Sequence, residues 1–272
     1  MRRILIAGAV WLAVGAAALL AQAKQPQPKS QKEVEALQAM FATQDPDARI
    51  KAADELIKKF ADTEFKTVAL YLMAASYEQK NQYEKMVFYA EETIKSDPMH
   101  YGALLMLATG IAKQTREHDL DREEKLAQSE KYAKAALEAL KTAAKPNPQL
   151  TDEQWAGAKK DFEAQAHEAF GMAASTRKKF DVAIAEFKMA IEGSANPDPT
   201  TFVRLGQIYN QANKPDEAVA ILDKVLAIAD VHPQIKQFAQ AERVRALQAK
   251  GAIKPAAPAT PPAAAPPAAP PK

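Results

Sequence analysis

The sequence repeats itself with a period of about 34 residues, and the repeated positions carry side chains of matching size. The two best-matching units align Leu205, Gly206, Tyr209, Ala218, Leu222 and Val225 with Phe170, Gly171, Ala174, Ala183, Phe187 and Ala190. Earlier units align Met73, Ala74 and Tyr77 with Leu107, Ala108 and Ile111. A repeat of this length is typical of supersecondary units that bury their apolar sides only by stacking on their neighbours.

These residues resemble the tetratricopeptide repeat (TPR) family, in which a large, a small and an aromatic residue mark the first helix and small-large-small positions mark the second. The resemblance implies an all-α fold, an α-α superhelix of about five helix pairs followed by a C-terminal capping helix. The physical reason is independent of the name. A small residue at Gly206 or Gly171 lets the two helices of a pair approach closely.

The resemblance divides the chain into a short linker, a repeat domain and a terminal helix. The expected segments are the linker 24–31, the domain 32–250 with repeats at about 33–66, 67–100, 101–142, 164–198 and 199–232, and the cap 233–250. In the cap, Ile235, Phe238, Ala241, Val244 and Leu247 are expected on the packed side. A polar opposite side is what the end of a repeat array needs.

The third unit departs from the pattern. About eight residues around 116–123 separate its two helices, and the prolines at 146 and 148 break the register. Thr151 and Gln154 form a capping-box sequence, which predicts a helix start. Helical spacing continues from Trp155, so one long helix is expected from about residue 152 to Ser175.

Both ends of the sequence differ from the repeats. Residues 1–23 combine Arg2, Arg3 and an apolar run with a small-x-small site, which predicts a secretory signal peptide cleaved after Ala23. The alternative is an uncleaved inner-membrane anchor at 4–20. We therefore expect an exported protein, periplasmic, cell-surface or secreted. Residues 251–272 are rich in alanine and proline and are expected to form a disordered, polyproline-like tail.

Charge and composition exclude several functions. The chain has 36 Lys and Arg against 34 Asp and Glu, and two of the arginines lie in the export signal, so the remainder is balanced at 34 to 34. We therefore expect no nucleic-acid binding and, once the signal is removed, no membrane integration. Cysteine is absent, which excludes disulfide and thiol chemistry.

No catalytic, cofactor-binding or metal-binding motif is recognisable, so we expect none of these sites and no enzyme. The four histidines lack zinc-site spacing, and His167 occupies a packing position of the repeat. The acidic run 117–124 lacks the glycine and distal glutamate of a calcium loop, so a solvated loop leading into a helix is expected.

The TPR resemblance implies that the first helices line a concave binding face. The residues that it assigns to partner binding are Tyr71, Glu78, Leu105, Thr109, Glu168, Met172, Ser175, Gln207, Asn210 and Gln211, with Ala75, Ala112 and Val203 beside them. The lysine and asparagines that grip a C-terminal carboxylate in some family members are missing at the comparable positions. A mixed or apolar segment is the expected ligand, and the alternative is that Tyr71, Leu105 and Met172 only pack against the next helix.

Three functions remain open on the sequence alone. The first is a non-catalytic scaffold of the cell envelope for protein-protein interaction, with a protein or peptide partner. The second is a small-ligand protein or enzyme with a site beside the long helix 152–175, near Trp155. The third is a structural envelope tether with an uncleaved N-terminal anchor.

Overall fold

A computed structural model describes residues 26–251, so the predicted signal peptide, the alternative anchor and the tail from residue 252 lie outside the described residues. The described chain is helical. Its helices are α1 (Gln31–Ala42), α2 (Pro46–Lys59), α3 (Lys66–Gln79), α4 (Tyr83–Ser96), α5 (Tyr101–Gln114), α6 (Arg122–Thr142), α7 (Asp152–Thr176), α8 (Phe180–Gly193), α9 (Pro199–Gln211), α10 (Pro215–Ala227) and α11 (Pro233–Ala249). Five helix pairs and a final helix confirm the predicted all-α fold class.

The chain divides into two compact units, which are described separately. Unit 1 extends to Pro197 and holds α1 to α8, and unit 2 begins at Asp198 and holds α9 to α11. Within unit 1 the core follows the pairs, because apolar side chains from neighbouring helices meet between them. The buried residues of successive layers include Met40, Leu56 and Met73, then Met86, Ala90 and Leu107, then Leu105, Ala133 and Ala166.

The turns inside three of the pairs share one geometry. Asn81, Lys178 and Asn213 have positive φ angles of 54°, 59° and 55°. After each of them an amide donates back across the end of the first helix, as Gln82 N does to the Tyr77 carbonyl at 2.9 Å. This is the hydrogen bond of a Schellman motif, which normally favours glycine or asparagine in the left-handed position. Asn81 and Asn213 follow this preference, whereas Lys178 occupies the left-handed position with a long side chain.

The third pair lacks this turn because the insertion replaces it. The segment 115–121 leads into α6 as predicted, but ion pairs also fix it to the following pair. The Lys178 ammonium lies 2.5 Å from the Glu117 carboxylate, and Arg177 binds both Glu123 and Glu130. Burial alone lowers the pKa of the Arg177 guanidinium, but its two carboxylate partners outweigh that effect and raise it.

Helix α7 is a single helix of 25 residues, which confirms the predicted long helix. Its capping box is also confirmed, because Gln154 N donates to the Thr151 hydroxyl and the Thr151 amide donates to the Gln154 side chain. The first half of α7 packs on α5, where the ring centroids of Trp155 and Tyr101 lie 6.2 Å apart. The second half of α7 pairs with α8. The helix therefore extends beyond the length of one repeat.

One carboxylate fastens the middle of α7 to the chain that follows α8. Asp161 Oδ1 accepts hydrogen bonds from the Ser194 hydroxyl and from the amides of Ala195 and Asn196, and its Oδ2 accepts one from the Asn196 side chain. Desolvation opposes ionisation, but these donors outweigh it and lower the pKa of Asp161. The contact holds the end of α8 against the α7 extension.

In unit 2, α9 and α10 approach closely because Gly206 has no side chain. A Cβ at position 206 would lie 2.7 Å from the Cγ of buried Leu222. Helix α11 packs on both, but not with the predicted side. Ala239 and Ala246 are buried, whereas Phe238 is 54% exposed. Residues spaced by three rotate gradually around the helix axis, so the predicted set does not stay on one face. Ala239 and Ala246 are seven residues apart, which places both on the same face.

Among residues 26–251, no helix combines the length and the apolar character that a membrane span requires.

Candidate functional site

The structure brings two of the predicted residues on α3 close to a third that the sequence reasoning missed. Tyr71 and Glu78 interact electrostatically, and Lys113 at the end of α5 acts on Glu78. We call these three residues the α3–α5 triad. Lys113 lies four residues after Thr109, so helical spacing from Thr109 was the signal that could have found it.

Tyr71 is held in place by contacts from the start of α5. Its ring centroid lies 4.6 Å from that of His100, and a Cβ on Gly102 would lie 2.9 Å from its hydroxyl oxygen. Burial raises the pKa of Tyr71, with smaller contributions from Tyr101 and Glu78. The side chain is half-buried, so it packs against α5 and also keeps some surface that a partner can contact.

Glu78 has an unusual environment for a surface carboxylate. The residue is exposed to solvent, yet desolvation by the surrounding protein raises its pKa, and Lys113 only partly opposes the shift. The carboxylate thus lies near other protein atoms while it stays open to solvent. An incoming hydrogen-bond donor or cation can pair with it there.

The α5 part of the predicted binding face is wrong. Leu105 is 1% exposed and Ala112 is also buried, so neither offers contact area to a partner. The reason is the packing between α5 and the repeat part of α7, where Ala166 and Ala169 lie in one buried cluster with Leu105. Thr109 remains half-buried, and its hydroxyl donates to the Leu105 carbonyl at 2.9 Å.

The predicted residues on α7 stay partly open. Glu168, Met172 and Ser175 are half-buried, at helical spacing along the second half of the helix. This part pairs with α8, and its Ala166 and Ala169 also lie in one buried cluster with Leu105 of α5. The half-buried side chains beside them keep some surface that a partner can contact.

In unit 2 the predicted residues divide into two groups. Gln211 is exposed and Gln207 is half-buried. Asn210 instead binds the final helix, where its Nδ2 donates to the Glu242 carbonyl at 3.0 Å and to the Glu242 carboxylate at 2.8 Å. Val203 is buried. The expectation that Asn210 faces a partner is wrong, because α11 occupies that side of α9.

Trp155 and His167, the other candidates for chemistry, are engaged in packing and pairing. Trp155 is 6% exposed and packs against Tyr101 and Phe162. His167 Nδ1 lies 2.8 Å from the Glu186 carboxylate of α8. Within the part of the chain that the structure describes, no three metal-ligating side chains come together.

His100 has a role that the sequence reasoning did not assign. Its Nδ1 accepts a hydrogen bond from the Ala103 amide at 3.1 Å and so caps the N-terminus of α5. This acceptor exists only in the neutral imidazole. Desolvation lowers the pKa of His100 and outweighs the opposite influence of Asp97, which keeps the neutral form.

Comparisons with known proteins agree with this description of the fold. The tetratricopeptide repeat model matches residues 68–100 and 199–232. A thermophilic TPR protein of Thermus thermophilus is 18% identical with a TM-score of 0.54, over 78% of this chain and 99% of that one. PilW, a widely conserved type IV pilus biogenesis factor, is 15% identical with a TM-score of 0.54, over 82% and 92%.

No curated relative matches the chain at the level of sequence. At these identities the solved structures establish similarity of fold alone. The chain is thus similar to TPR proteins in sequence over two segments and in fold over most of its length, and the repeat matches support a protein-protein interaction module.

Proposed function

We propose that this protein is a non-catalytic scaffold of the cell envelope that binds a protein or peptide segment at the α3–α5 triad. The observation that carries the proposal is the grouping of exposed Glu78 with half-buried Tyr71 and exposed Lys113 on the contacting helices α3 and α5. A helix-pair array holds such side chains on rigid elements, so little conformational entropy is lost when a partner binds.

The chemistry of the triad indicates the kind of ligand. Glu78 favours a basic or hydrogen-bond-donating group, and the half-buried ring of Tyr71 favours an apolar or aromatic one. Lys113 beside them favours an acceptor. We therefore expect a segment of mixed character in which a basic residue lies next to an apolar one, bound without covalent chemistry, cofactor or metal.

The proposed location rests on residues 1–23 of the sequence. Their basic start, apolar run and small-x-small site support export to the periplasm or the cell surface, with cleavage after Ala23. N-terminal sequencing of the protein purified from its native host tests this point. A mature chain beginning at residue 24 supports export with cleavage, whereas an intact residue 1 supports the membrane-anchored alternative.

The binding site is tested with charge reversal. A photo-crosslinking amino acid placed at Gln79, the exposed neighbour of Glu78, in the full chain captures partners in the cell, and each captured protein is then purified and measured by calorimetry. Glu78→Lys is expected to weaken the affinity by about tenfold or more, because it replaces a favourable charge contact by repulsion.

The control is Glu84→Lys, an equally drastic change at an exposed glutamate of the second helix of the same pair. It is expected to leave the affinity unchanged within about twofold. Equal effects of the two substitutions on every purified partner would contradict the assignment of the triad as the binding site.

A further inference from the structure

Three aromatic side chains, none of them a residue of the α3–α5 triad, form a partly exposed patch on the second helix pair. Tyr77 of α3 and Tyr89 of α4 stack with ring centroids 5.3 Å apart and an interplanar angle of 11°. Phe88 of α4 meets Tyr89 edge-on, at 5.0 Å and 87°. We call these three residues the α3–α4 aromatic patch.

The patch is more open than a core cluster. Phe88 is 56% exposed, and Tyr77 and Tyr89 are half-buried. The Lys85 ammonium lies 5.2 Å from the centre of the Tyr77 ring and covers part of one face. Tyr77 and Tyr89 also pack against the buried residues of the neighbouring helices, so the exposed aromatic surface of the patch belongs mainly to Phe88.

An exposed aromatic side chain on a rigid helix suits a proline-rich segment. Prolyl rings are rigid and pack flat against aromatic faces, which is how proline-rich segments are bound by aromatic-lined surfaces. Because the polyproline II conformation is already formed before binding, little chain entropy is lost.

The chain itself contains the matching segment. Residues 254–272, KPAAPATPPAAAPPAAPPK, include eight prolines and three Pro-Pro pairs, and no acidic side chain. Extended as polyproline II, the 21 residues after Gly251 span about 65 Å. That is more than twice the roughly 26 Å length of α11, the 17-residue helix that the segment follows, so the segment can extend well beyond that helix.

We propose that the α3–α4 aromatic patch binds residues 254–272 of this chain. The inference does not depend on the proposed function, since it uses other residues and another ligand. The occupied patch would give the C-terminal segment a fixed position and cover the most exposed aromatic side chain of unit 1.

The absence of cysteine makes a direct test possible. Ala264→Cys introduces a single thiol into the full chain between the Pro-Pro pairs, and a nitroxide attached to it broadens the NMR signals of amides within reach. The expected result is selective broadening of the amides of Tyr77, Phe88 and Tyr89. Broadening spread evenly over exposed helices, or concentrated elsewhere, would overturn the proposal.

The matched variants are two exposed phenylalanines. Phe88→Ala is expected to reduce the docked population about fivefold, the effect of losing one aromatic contact. Phe41→Ala, at a 49% exposed phenylalanine of α1, should leave the broadening unchanged. Equal effects of both would refute a specific patch, and unaltered spectra elsewhere verify that each variant remains folded.

Mixing experiments distinguish the source of the segment. Isotope-labelled protein without the nitroxide is mixed with nitroxide-labelled protein without the isotope. Broadening at the patch in this mixture supports docking between two copies, and broadening only when both labels are on one chain supports docking within a copy. Either outcome supports the proposal, and broadening in neither sample overturns it.

Discussion

Gly206→Ala is expected to destabilise unit 2 by about 1–2 kcal/mol, although alanine is the better helix former by about 1 kcal/mol. The added Cβ would lie 2.7 Å from both Cγ and Cδ2 of Leu222. Leu222 is fully buried, and its Cγ is a branch point that cannot swing aside as a flexible chain end can. Overpacking of this kind costs about 1–3 kcal/mol, and the direct clash at Cγ places it near the upper end.

The matched control is the same substitution in α7. At Gly157 the nearest atom to an added Cβ is the Ala195 Cβ at 3.7 Å, an ordinary van der Waals contact. Gly157→Ala is therefore expected to stabilise by about 0.5–1 kcal/mol through helix propensity alone. Urea unfolding followed by circular dichroism, with amide exchange to resolve the two units, measures both effects. A Gly206→Ala variant as stable as Gly157→Ala would refute the close approach of α9 and α10.

Four further substitutions test contacts described above. Because the pKa of His100 lies below its ordinary value of 6.5, the unfolded chain binds the proton first as the pH falls, so the cap stabilises above about pH 6.5 and is lost below it. His100→Asn, which caps without titrating, should remove about 1 kcal/mol of the difference in unfolding free energy between pH 5 and pH 7.5. Lys178→Gly removes the strain of a positive φ angle at a side-chain-bearing residue and should raise the unfolding free energy by about 1 kcal/mol. Glu117→Gln removes only the exposed ion pair with Lys178 and should leave the melting temperature nearly unchanged. Asp161→Ala should lower the unfolding free energy by about 1–2 kcal/mol at pH 7, and since the pKa of Asp161 is lowered, its contribution should fade as the pH drops below 3.8, as measured by urea titration at pH 3 and pH 7.

The sequence predicted the parts of the fold that local chemistry determines. The size pattern around Gly206 placed a close helix pair, and the capping box at Thr151 placed the start of α7, because both signals lie within a few residues. The long helix followed from uninterrupted spacing between Trp155 and Ser175. These features need no information about distant parts of the chain.

The errors arose where contacts join residues far apart in sequence. Leu105 is assigned to a binding face by its position in the repeat, but Ala166 and Ala169 of α7 and Ala133 and Ala136 of α6 bury it. The hydrogen bond from Asn210 to the Glu242 carboxylate depends on how α11 packs against α9, and no local sequence pattern indicates that packing. The ion pair between Glu117 and Lys178 likewise depends on which loop lies beside which turn.

The candidate site shows the same division. The TPR resemblance implies Tyr71 and Glu78 as binding residues, but the desolvation that raises the pKa of Glu78 depends on the assembled surface. The role of His100 as a cap beneath Tyr71 also required the structure.

Helix α7 affects how repeat units of this array can be duplicated or deleted during evolution. In most repeat proteins one unit can be duplicated or deleted because each ends in a turn. Here the start of α7 packs against the third pair through Trp155. The rest of the same helix, which includes Ala174, is the first helix of the fourth pair, and no turn separates the two parts. A gene rearrangement that cuts between these pairs would divide a continuous hydrogen-bonded helix, so the third and fourth pairs are inherited as one block.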